Sequence, residues 1–391
     1  MLSREGCLRR RERLWSQVPA TAEWLLVADP RHVYLLSGFL VNPISFSQYE
    51  RGLLLLERSG EATLLADNFT RRSAIGAPHV DRELIEDWYT HQQGVVNRDH
   101  ALLAALKACS PRLSGRHGLV EAEWLPAAAL SLTGISAETA AVRGNGDGGD
   151  SAAAPDLGSL IRHVRRVKES DELEILHRCM RATEAGHARA REVLRPGISE
   201  LELYTEIQAA ATLAAGQPAV IYGDFRGLNA ETPKAGGLPT AYVLQQDDLF
   251  LLDYSVVIDG YRSDFTNTMS VSEPTDEQDM LFRLCQSAME AGESVLRDGV
   301  PAADVYTAVS RPLNDAGYGP LSHHAGHGIG LGHPEPPILV PHSGDVLVAG
   351  DVVTLEPGLY VEGIGGMRIE HNYLITSTGY ERLSNHLISL S

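Results

Sequence analysis

The chain has 391 residues, which is enough for two domains that each have a hydrophobic core. Its formal net charge of −18 argues against nucleic acid or anionic lipid as a main partner, because both are bound through clustered Lys and Arg. No apolar run is long enough to span a bilayer, and the four cysteines are far apart with no C-x-x-C pair. We therefore expect no membrane partner, reduced and mostly buried thiols, and a cytoplasmic location.

The N-terminal part of the chain alternates short apolar runs with a helical pattern. Residues 99–110, DHALLAALKACS, predict a helix. Four apolar runs predict strands: WLLVADP (24–30), HVYLLSGF (32–39), RGLLLLER (51–58) and EATLLAD (61–67). This alternation indicates an α/β domain. The segment RGNGDGGDSAAAPD, residues 143–156, is rich in Gly, Asp and Ala and predicts a linker or surface loop.

Three helix starts are predicted after residue 159. The amphipathic segment 170–194 predicts a long helix whose cap is Ser170 or Asp171. Two further helices start at capping boxes. In a capping box the cap side chain accepts a hydrogen bond from the backbone N–H three residues later, and the side chain of that later residue accepts one from the backbone N–H of the cap. These boxes are Ser199 with Glu202, and Thr275 with Gln278.

The second half of the chain contains a repeat. Residues 194–207, LRPGISELELYTEI, align without gaps with residues 296–309, LRDGVPAADVYTAV, at an offset of 102. Leu, Arg, Gly, Tyr and Thr recur identically, and aliphatic residues replace aliphatic ones. The repeat predicts two similar halves, each a helix–loop–helix unit followed by strands.

A β-hairpin is predicted in LFLLDYSVVIDGYRSDFTNT, residues 249–268, with Asp259-Gly260 as the turn. If those two residues form the loop, Ser255 lies opposite Asp264, and both share a face with Asp253. The two acids then lie diagonally across that face, with Cβ atoms roughly 7 Å apart. Two carboxylates on an apolar ribbon repel each other, so a bound cation is the simplest way to keep both ionised.

The repeat extends this argument to a second pair of acids. The offset carries Asp253 to the residue before Glu356, and it carries Asp264 to four residues before Glu370. Each half therefore offers two acids on neighbouring strands, and a pseudo-twofold would bring all four together. The alternative is that they are separate surface charges at strand ends.

His327 is the best candidate for an imidazole that completes this group. It lies in HHAGHGIGLGHPEPP, residues 323–337, where flanking glycines allow close approach of the backbone. Oxygen ligands with one His suit Mn, Co, Zn or Fe. Two such ions about 3.5–4 Å apart can share carboxylates and activate water, so the group predicts a dinuclear site.

These motifs resemble the pita-bread metallohydrolases, the group of methionine aminopeptidase, prolidase, aminopeptidase P and creatinase. The matching pieces are LLDYSVVIDGYRSDFTNT, GHGIGLG, TLEPGLY and GGMRIE, within roughly residues 165–391. The segment DPRHVYLLSGF resembles the smaller domain of the prolidase and creatinase branch. The resemblance implies an α/β protein with a creatinase-like domain at 1–157 and a catalytic domain with a pseudo-twofold and a curved antiparallel sheet at 158–391.

The resemblance also implies the site and its occupants. Its five metal ligands would be Asp253, Asp264, His327, Glu356 and Glu370. They would hold two divalent ions, drawn from Mn, Co, Zn or Fe, in a homodimer that cleaves a small peptide or amide. The favoured substrate is a peptide with proline after the scissile bond.

Two departures from the family pattern affect the catalytic histidines. Active peptidases of this fold carry a His about seventeen residues before the first ligand Asp, and matching Leu-Pro puts Thr240 there. The second His normally follows the ligand His by seven residues, where this chain has Pro334 with His333 one residue earlier. His323 and His324 could supply an imidazole instead, although a structural role is expected for both.

The expected roles follow from this pattern. Glu356 would move the proton from the nucleophile to the leaving amine, assisted by His333 or Thr240. Arg368 would hold a ligand carboxylate or the substrate, or form a structural ion pair. One alternative is a non-peptide amidohydrolase of the creatinase or ectoine hydrolase type. A pocket too short for a dipeptide, with Arg226 pointing into it, would favour this alternative, and the residues around that pocket are Thr240, Tyr222, Asp224 and Arg226. The other alternative is a binding protein on the same fold that no longer catalyses.

Overall fold

The computed structural model describes residues 1–41, 50–134 and 156–391. It divides into two compact units, Met1–Arg165 and Arg166–Ser391. The linker predicted at 143–156 lies outside the described residues except for Asp156. All four cysteines are free and buried, as expected from their spacing. None of the helices in the described ranges is long and apolar enough to cross a membrane.

The first unit contains a mixed five-stranded sheet with helices packed on it. Its helices are α1 (Arg4–Gln17), α2 (Pro30–Ser37), α3 (Asn68–Ser73), α4 (Arg98–Leu113), α5 (Ala127–Thr133) and α6 (Leu157–Val164), with a 3-10 turn at Ala122–Trp124. Its strands are β1 (Trp24–Val27), β2 (Leu40–Val41), β3 (Leu53–Glu57), β4 (Ala62–Asp67), β5 (Ala74–Ile75), β6 (Arg82–Glu86) and β7 (Gly118–Val120).

The sheet order is β6-β4-β3-β1-β7, and β2 pairs separately with β5. The parallel pairs are β1 with β7 and β4 with β6, whereas β3 is antiparallel to both neighbours. Three of the four predicted strands are confirmed as β1, β3 and β4, and the predicted helix is confirmed as α4. The α/β character of this part of the chain is therefore as expected.

The strand predicted at residues 32–39 is wrong, because most of these residues belong to α2. Asp29 caps this helix by accepting a hydrogen bond from the Arg31 amide, and Pro30 occupies its first turn. Gly38 ends the helix in the left-handed region, with φ 69°. An apolar run alone does not distinguish a buried strand from a short buried helix, and here the flanking Asp-Pro and Gly were the decisive signal.

The second unit pairs helices with antiparallel strands twice in succession. Its helices are α7 (Ser170–Val193), α8 (Glu200–Ala215), α9 (Asp276–Glu293) and α10 (Ala302–Asp315). Its strands are β8 (Val220–Leu228), β9 (Leu249–Ile258), β10 (Tyr261–Arg262), β11 (Phe265–Ser270), β12 (His327–Gly328), β13 (Glu335–Ile338), β14 (Val352–Leu355), β15 (Gly358–Val361), β16 (Gly365–Arg368), β17 (His371–Ile375) and β18 (Tyr380–Arg382). Every strand pairing recorded for this unit is antiparallel.

The helix starts agree closely with the sequence pattern. Both capping boxes are confirmed, at the starts of α8 and α9. Helix α7 begins at Ser170, but its cap is Glu169, one residue before the predicted one. The amide of Glu169 donates to the Glu172 carboxylate at 2.9 Å, so the box uses two glutamates. A glutamate at the cap position is not among the residues that usually cap helices, which is why the prediction missed it.

The structure confirms the internal repeat. Helices α8 and α10 begin 102 residues apart, at Glu200 and Ala302. The loop before each helix closes in the same way, because a glycine amide donates at 2.9 Å to a leucine carbonyl from the segment ahead of the next strands. These bonds join Gly197 to Leu244 and Gly299 to Leu347, so the spacing between the halves grows from 102 to 103 along the repeat.

The predicted hairpin and its register are also confirmed. Asp259 and Gly260 form a two-residue turn with φ values of 48° and 82°. Tyr254 pairs with Phe265, and Asp253 pairs with Thr266, which places Ser255 opposite Asp264 as predicted. On the other side of β9, strand β8 pairs Asp224 with Asp253. A bridge between Asn267 and Ile369 joins this hairpin to the strands of the second half.

Candidate metal centre

The four acids singled out in the sequence come together in the second unit. Asp253 lies in β9, Asp264 precedes β11, Glu356 follows β14, and Glu370 lies between β16 and β17. One oxygen from each of Asp253, Asp264 and Glu370 lies within 4.8 Å of the other two. His327 joins this set to Glu356, because its Nε2 lies 3.4 Å from Asp264 Oδ2 and 3.7 Å from Glu356 Oε1.

These groups are buried, so they are not separate surface charges. Asp264, His327, Glu356 and Glu370 each keep 7% or less of their surface exposed. Threonine hydroxyls hold two of the carboxylates, one from a neighbouring strand and one from two residues earlier in the same segment. Thr266 Oγ1 donates to Glu370 Oε2 at 2.7 Å, and Thr354 Oγ1 donates to Glu356 Oε1 at 3.2 Å. The main chain of Asp264 is held by the Asn372 side chain.

Two carboxylate oxygens in this cluster lack a hydrogen-bond donor. Asp253 Oδ1 and Glu370 Oε1 are both buried, and neither accepts a hydrogen bond from any residue in the described ranges. Burial, opposed by Arg368 and reinforced by Asp264, raises the pKa of Asp253 to about 6. Burial and the nearby acids raise the pKa of Glu370 well above its usual value. Free, crowded carboxylate oxygens beside one imidazole fit divalent Mn, Fe, Co or Zn.

Two histidines lower the pKa of Asp264, in contrast to the raised pKa values of Asp253 and Glu370. Burial disfavours the charge on Asp264, but hydrogen bonds from His327 and His333 outweigh it and hold the pKa of this carboxyl below its usual range. Burial likewise opposes a proton on His327, yet Asp264 and Glu356 raise its pKa to about 9. A proton on His327 thus supplies part of the positive charge that stabilises these acids, and a metal ion bound to this imidazole would displace it.

Arg368 binds a carboxylate of the cluster. Its Nη2 donates to Asp253 Oδ2 and, at 3.0 Å, to Asp224 Oδ2, while its Nη1 donates to the Tyr360 hydroxyl at 3.1 Å. The neighbouring acids raise the pKa of this guanidinium well above its usual value despite burial. Of the roles considered from the sequence, Arg368 therefore holds a predicted metal-ligand carboxylate.

The sequence placed Asp224 only in the pocket of the non-peptide alternative, and its contacts with Asp253 and Arg368 were not predicted. Asp224 lies directly across from Asp253 in the sheet, and its Oδ1 accepts a hydrogen bond from the Gly237 amide at 2.5 Å. A signal for it was present in the repeat. With a spacing of 103, Asp253 corresponds to Glu356 and Asp224 corresponds to His327. The change of offset from 102 to 103 within the repeat hid this correspondence.

Two of the candidate residues meet at a buried glutamate of α8. The amide and the hydroxyl of Thr240 both donate to Glu200 Oε2 at 2.7 Å. Arg226 donates from Nε to Glu200 Oε1 at 3.3 Å and from Nη1 to the Gly236 carbonyl at 3.0 Å. Glu200 therefore anchors the loop that carries Thr240 to strand β8, and the catalytic and substrate-binding roles of the two residues stay predictions.

The other candidates lie beside the acids of the candidate metal centre. His333 Nε2 lies 2.6 Å from Asp264 Oδ2, and its ring packs edge-on against His327, so the catalytic role of His333 stays a prediction. Tyr222 packs its ring edge-on against His333, with 6.4 Å between centroids. His324 Nδ1 lies 3.1 Å from Glu356 Oε1, and the ring of His323 packs against Tyr360. Imidazoles therefore border the acids on more than one side.

A second group of histidine and carboxylates lies in the first unit, but its atoms are bonded to the protein. His32 Nδ1 lies 2.5 Å from Glu121 Oε1, and its Nε2 lies 3.0 Å from Arg165 Nη1. Glu121 Oε2 accepts hydrogen bonds from the amides of Ala28 and Asp29. Since both ring nitrogens have protein partners, this group stabilises the loop between β1 and α2.

The repeated helix pairs, the antiparallel strands and the converging acids define the class of pita-bread metallohydrolases. Solved structures agree across nearly the whole chain. An Xaa-Pro dipeptidase from Bacillus anthracis has a TM-score of 0.76 at 22% identity, covering 98% of this chain and 99% of that one. Aminopeptidase P from E. coli has a TM-score of 0.71 at 21% identity, covering 99% and 96%. The expected fold is thereby confirmed.

The sequence comparisons identify the family. The model of metallopeptidase family M24 matches residues 174–377, more than half of the chain, and the protein belongs to this family. An uncharacterised peptidase of Staphylococcus haemolyticus is 29% identical over 237 residues, 59% of this chain and 66% of that protein. An Xaa-Pro dipeptidase of Lactobacillus delbrueckii is 29% identical over 235 residues, 59% and 63% respectively. The matches thus span slightly less than two thirds of these relatives.

Proposed function

We propose that this protein is a dinuclear metal-dependent hydrolase that cleaves the amide bond before proline in small peptides. The observation that carries the proposal is the convergence of four carboxylates and His327, in which Asp253 Oδ1 and Glu370 Oε1 are buried without a donor. Unpaired buried carboxylates are costly, and two cations account for them. The substrate class comes from the relatives, which include an Xaa-Pro dipeptidase and an aminopeptidase P.

The five residues Asp253, Asp264, His327, Glu356 and Glu370 would hold the ions. Bound there, divalent ions would polarise the scissile carbonyl and acidify a water molecule. Arg368 and Thr266 orient two of the carboxylates through hydrogen bonds. These bonds come from neighbouring strands, so the ligand oxygens are set in place before substrate arrives.

His333 and Glu356 would handle the protons. Glu356 would take the proton from the attacking water and pass it to the leaving amine. His333, whose Nε2 lies 2.6 Å from Asp264, would donate a hydrogen bond to the oxygen on which charge develops. His333 is a better substitute for the missing family histidine than Thr240, because its ring contacts Asp264 of the candidate metal centre, whereas the Thr240 hydroxyl donates to Glu200.

The test is peptide turnover by protein whose metal content is known. We would strip the protein with chelator, reload it with Mn or Co, count ions per chain by mass spectrometry, and measure amine release from Leu-Pro and Leu-Ala. Leu-Pro should be hydrolysed faster, and Asp264→Asn should lose both metal and turnover. Exposed Asp247→Asn is the matched control. Loading of two ions without turnover of either dipeptide would reject the peptidase.

The same preparation tests the remaining parts of the proposal. We propose a homodimer, which light scattering of the purified protein would measure, and a cytoplasmic location, which fractionation would measure. A non-peptide amidohydrolase would be favoured by Arg226 directed into the pocket, but its guanidinium binds Glu200 and Gly236. A site that stays empty under metal-replete conditions would instead favour a non-catalytic binding protein.

A further inference from the structure

Arg262 places a second guanidinium on the face of the sheet that carries the metal centre. It pairs with Val257 in the hairpin and lies two residues before Asp264. Because residues two apart on a strand point to the same face, its side chain leaves the sheet on the side of Asp253 and Asp264. Arg262, unlike Arg226 and Arg368, is not among the substrate-binding residues predicted from the sequence.

Tyr222 holds this guanidinium next to His333. Strand β8 pairs Tyr222 with Ser255, so the tyrosine lies on the same face, diagonally across β9 from Arg262. Nη1 of Arg262 donates to the Tyr222 hydroxyl, and the guanidinium carbon lies 5.5 Å from the ring centroid. The Tyr222 ring in turn packs against His333, which bonds to Asp264. Arg262 and Tyr222 therefore border the metal centre on the His333 side.

The charge on Arg262 is not neutralised by a carboxylate. Among the residues that the structure describes, no Asp or Glu oxygen comes within 4.0 Å of its guanidinium, and its buried Nε has no acceptor. Arg368 differs, since Asp253 and Asp224 both accept from it. Burying the donors of a guanidinium without an acceptor is unfavourable, and guanidinium prefers the paired oxygens of a carboxylate. The missing acceptor points to an anionic ligand.

We propose that Arg262 and Tyr222 form a subsite for the free C-terminal carboxylate of the substrate, and that this subsite makes the enzyme a dipeptidase. The inference rests on the proposed function. In a dipeptide the carboxylate carbon is three bonds from the scissile carbonyl carbon, so its subsite must adjoin the metal ligands, as Arg262 adjoins Asp264. An amide or a longer peptide places no carboxylate there.

The first experiment compares a dipeptide with its amide. We would measure kcat/KM for Leu-Pro and Leu-Pro-amide with the wild type, Arg262→Ala, Arg262→Lys and Tyr222→Phe, each loaded with Mn. A hydrogen bond between charged groups predicts a loss of about 10–100-fold on Leu-Pro for Arg262→Ala, with little change on the amide. Lys should restore part of the loss, and Tyr222→Phe should cause a smaller one. Arg283→Ala, at an exposed arginine of α9, is the matched control.

Equal losses on both substrates, or no loss on Leu-Pro, would overturn the subsite and leave Arg262 and Tyr222 as a structural contact of the sheet. Metal content and Tm of each variant show whether the fold and the metal site are intact. An effect confined to the dipeptide in an intact variant supports the proposal, because a purely structural role does not distinguish a carboxylate from an amide.

A binding measurement tests the carboxylate subsite independently of the proposed peptidase activity. Calorimetry with L-proline and L-prolinamide requires no turnover. Wild type should bind proline more tightly than prolinamide, and Arg262→Ala should weaken proline binding by about 10–100-fold while leaving prolinamide unchanged. If neither dipeptide is hydrolysed, the proposed function fails while this result still decides the subsite. Equal binding of proline by wild type and Arg262→Ala would overturn it.

Discussion

Glu370 shows how one residue can oppose stability in one state of the protein and support it in another. Its carboxylate is buried among Asp253, Asp264 and Glu356, and only Thr266 donates a hydrogen bond to it among the described residues. The neighbouring negative charges therefore disfavour its ionised form whenever no cation is present. With cations bound, the same oxygens would become ligands. A substitution of Glu370 should accordingly lower the stability of the metal-loaded protein but not that of the metal-free protein.

We expect Glu370→Gln to abolish tight metal binding yet to leave the metal-free protein as stable as the wild type or more so. Burial and the neighbouring acids raise the pKa of the Glu370 carboxyl, which means that its negative charge is unfavourable. The glutamine amide removes this charge and has nearly the same volume. Thermal unfolding in chelator and metal counting by mass spectrometry measure the two effects. Glu290→Gln, on the exposed face of α9, should change neither. A large drop in the Tm of metal-free Glu370→Gln would contradict this account of the charge.

His333 is expected to act in the reaction without being needed for metal loading. His333→Ala should lower kcat by about 10²–10⁴-fold, the usual contribution of a proton donor or acceptor, while the ion count per chain stays unchanged. Its Nε2 contacts Asp264, but Asp264 keeps His327 as a second partner. Exposed His342→Ala is the control. Retained kcat in metal-loaded His333→Ala would assign the catalytic imidazole elsewhere, and His324 beside Glu356 would be examined next.

At the scale of elements, local sequence signals were reliable wherever the chain determines its own geometry. The Asp259-Gly260 turn set the hairpin register, and that register placed Asp253 and Asp264 on one face. The capping boxes at Ser199 and Thr275 marked helix starts. The prediction failed at α2, a short helix in which His32 to Ser37 are all buried, so that only the flanking Asp-Pro and Gly distinguished it from a buried strand.

Two glycines at equivalent positions of the repeat permit the close strand pairing that positions residues of the candidate metal centre. A methyl group on Gly223 would overlap the main chain of Asp253 and Tyr254, and one on Gly326 would overlap the Thr354 carbonyl. Both have φ 152°, a region in which side chains are rarely found. Gly223 precedes Asp224, and Gly326 precedes His327. Each glycine thus lets a site residue approach the neighbouring strand.

We expect Gly326→Ala and Gly223→Ala each to lower the unfolding free energy by about 1–3 kcal/mol, because the backbone must move to accommodate the methyl group. Each should also weaken metal binding, since the strand that moves carries or adjoins a ligand. Urea unfolding and metal titration measure these changes. Gly344→Ala, where a methyl group meets no atom within 4 Å, should have little effect on either. Wild-type metal affinity in Gly326→Ala would show that this close approach does not position His327.

At the scale of the whole molecule, a buried histidine pair should link stability to pH. His187 and His386 pack their rings 4.7 Å apart behind the strand that carries Thr266, and His386 donates to the Thr266 carbonyl at 3.1 Å. Burial lowers the pKa of His386 from 6.5 to about 4, and burial with the charge on His386 lowers the pKa of His187 well below 6.5. Folding therefore favours the neutral rings.

The direction in which stability changes with pH follows from proton binding to the folded and unfolded states. Between pH 6.5 and about 4 the unfolded chain binds a proton at His386 that the folded protein does not, so stability should fall as the pH falls through this window. The raised pKa values of Asp253 and Glu370 act oppositely, because their folded forms bind protons more readily. The pH dependence of stability is the sum of the histidine and the acid contributions. The contribution of His386 is therefore measured as the difference between the wild type and a His386 variant.

We expect His386→Gln to lose less stability than the wild type on acidification, by about 1.5 kcal/mol between pH 6.5 and pH 5. Each pH unit of full unmatched proton uptake is worth about 1.4 kcal/mol, and the unfolded histidine is only half protonated at pH 6.5. Urea unfolding of metal-free protein at both pH values provides the comparison. His342→Gln, at an exposed loop position, should follow the wild type. Parallel pH profiles for wild type and His386→Gln would mean that His386 is not held neutral by burial.

The α/β fold class, the internal repeat and the hairpin register could be predicted from the sequence, and so could the convergence of the four acids with His327. These features depend on local turn chemistry, on the period of apolar residues and on spacing along the chain, all of which are visible in one dimension. Which groups surround the acids depends on the tertiary fold. Asp224 meets Asp253 across two strands that are separated in sequence, and Arg262 meets Tyr222 in the same way. Such pairings depend on strand order and packing, because two distant segments become neighbours only when the sheet brings their faces together.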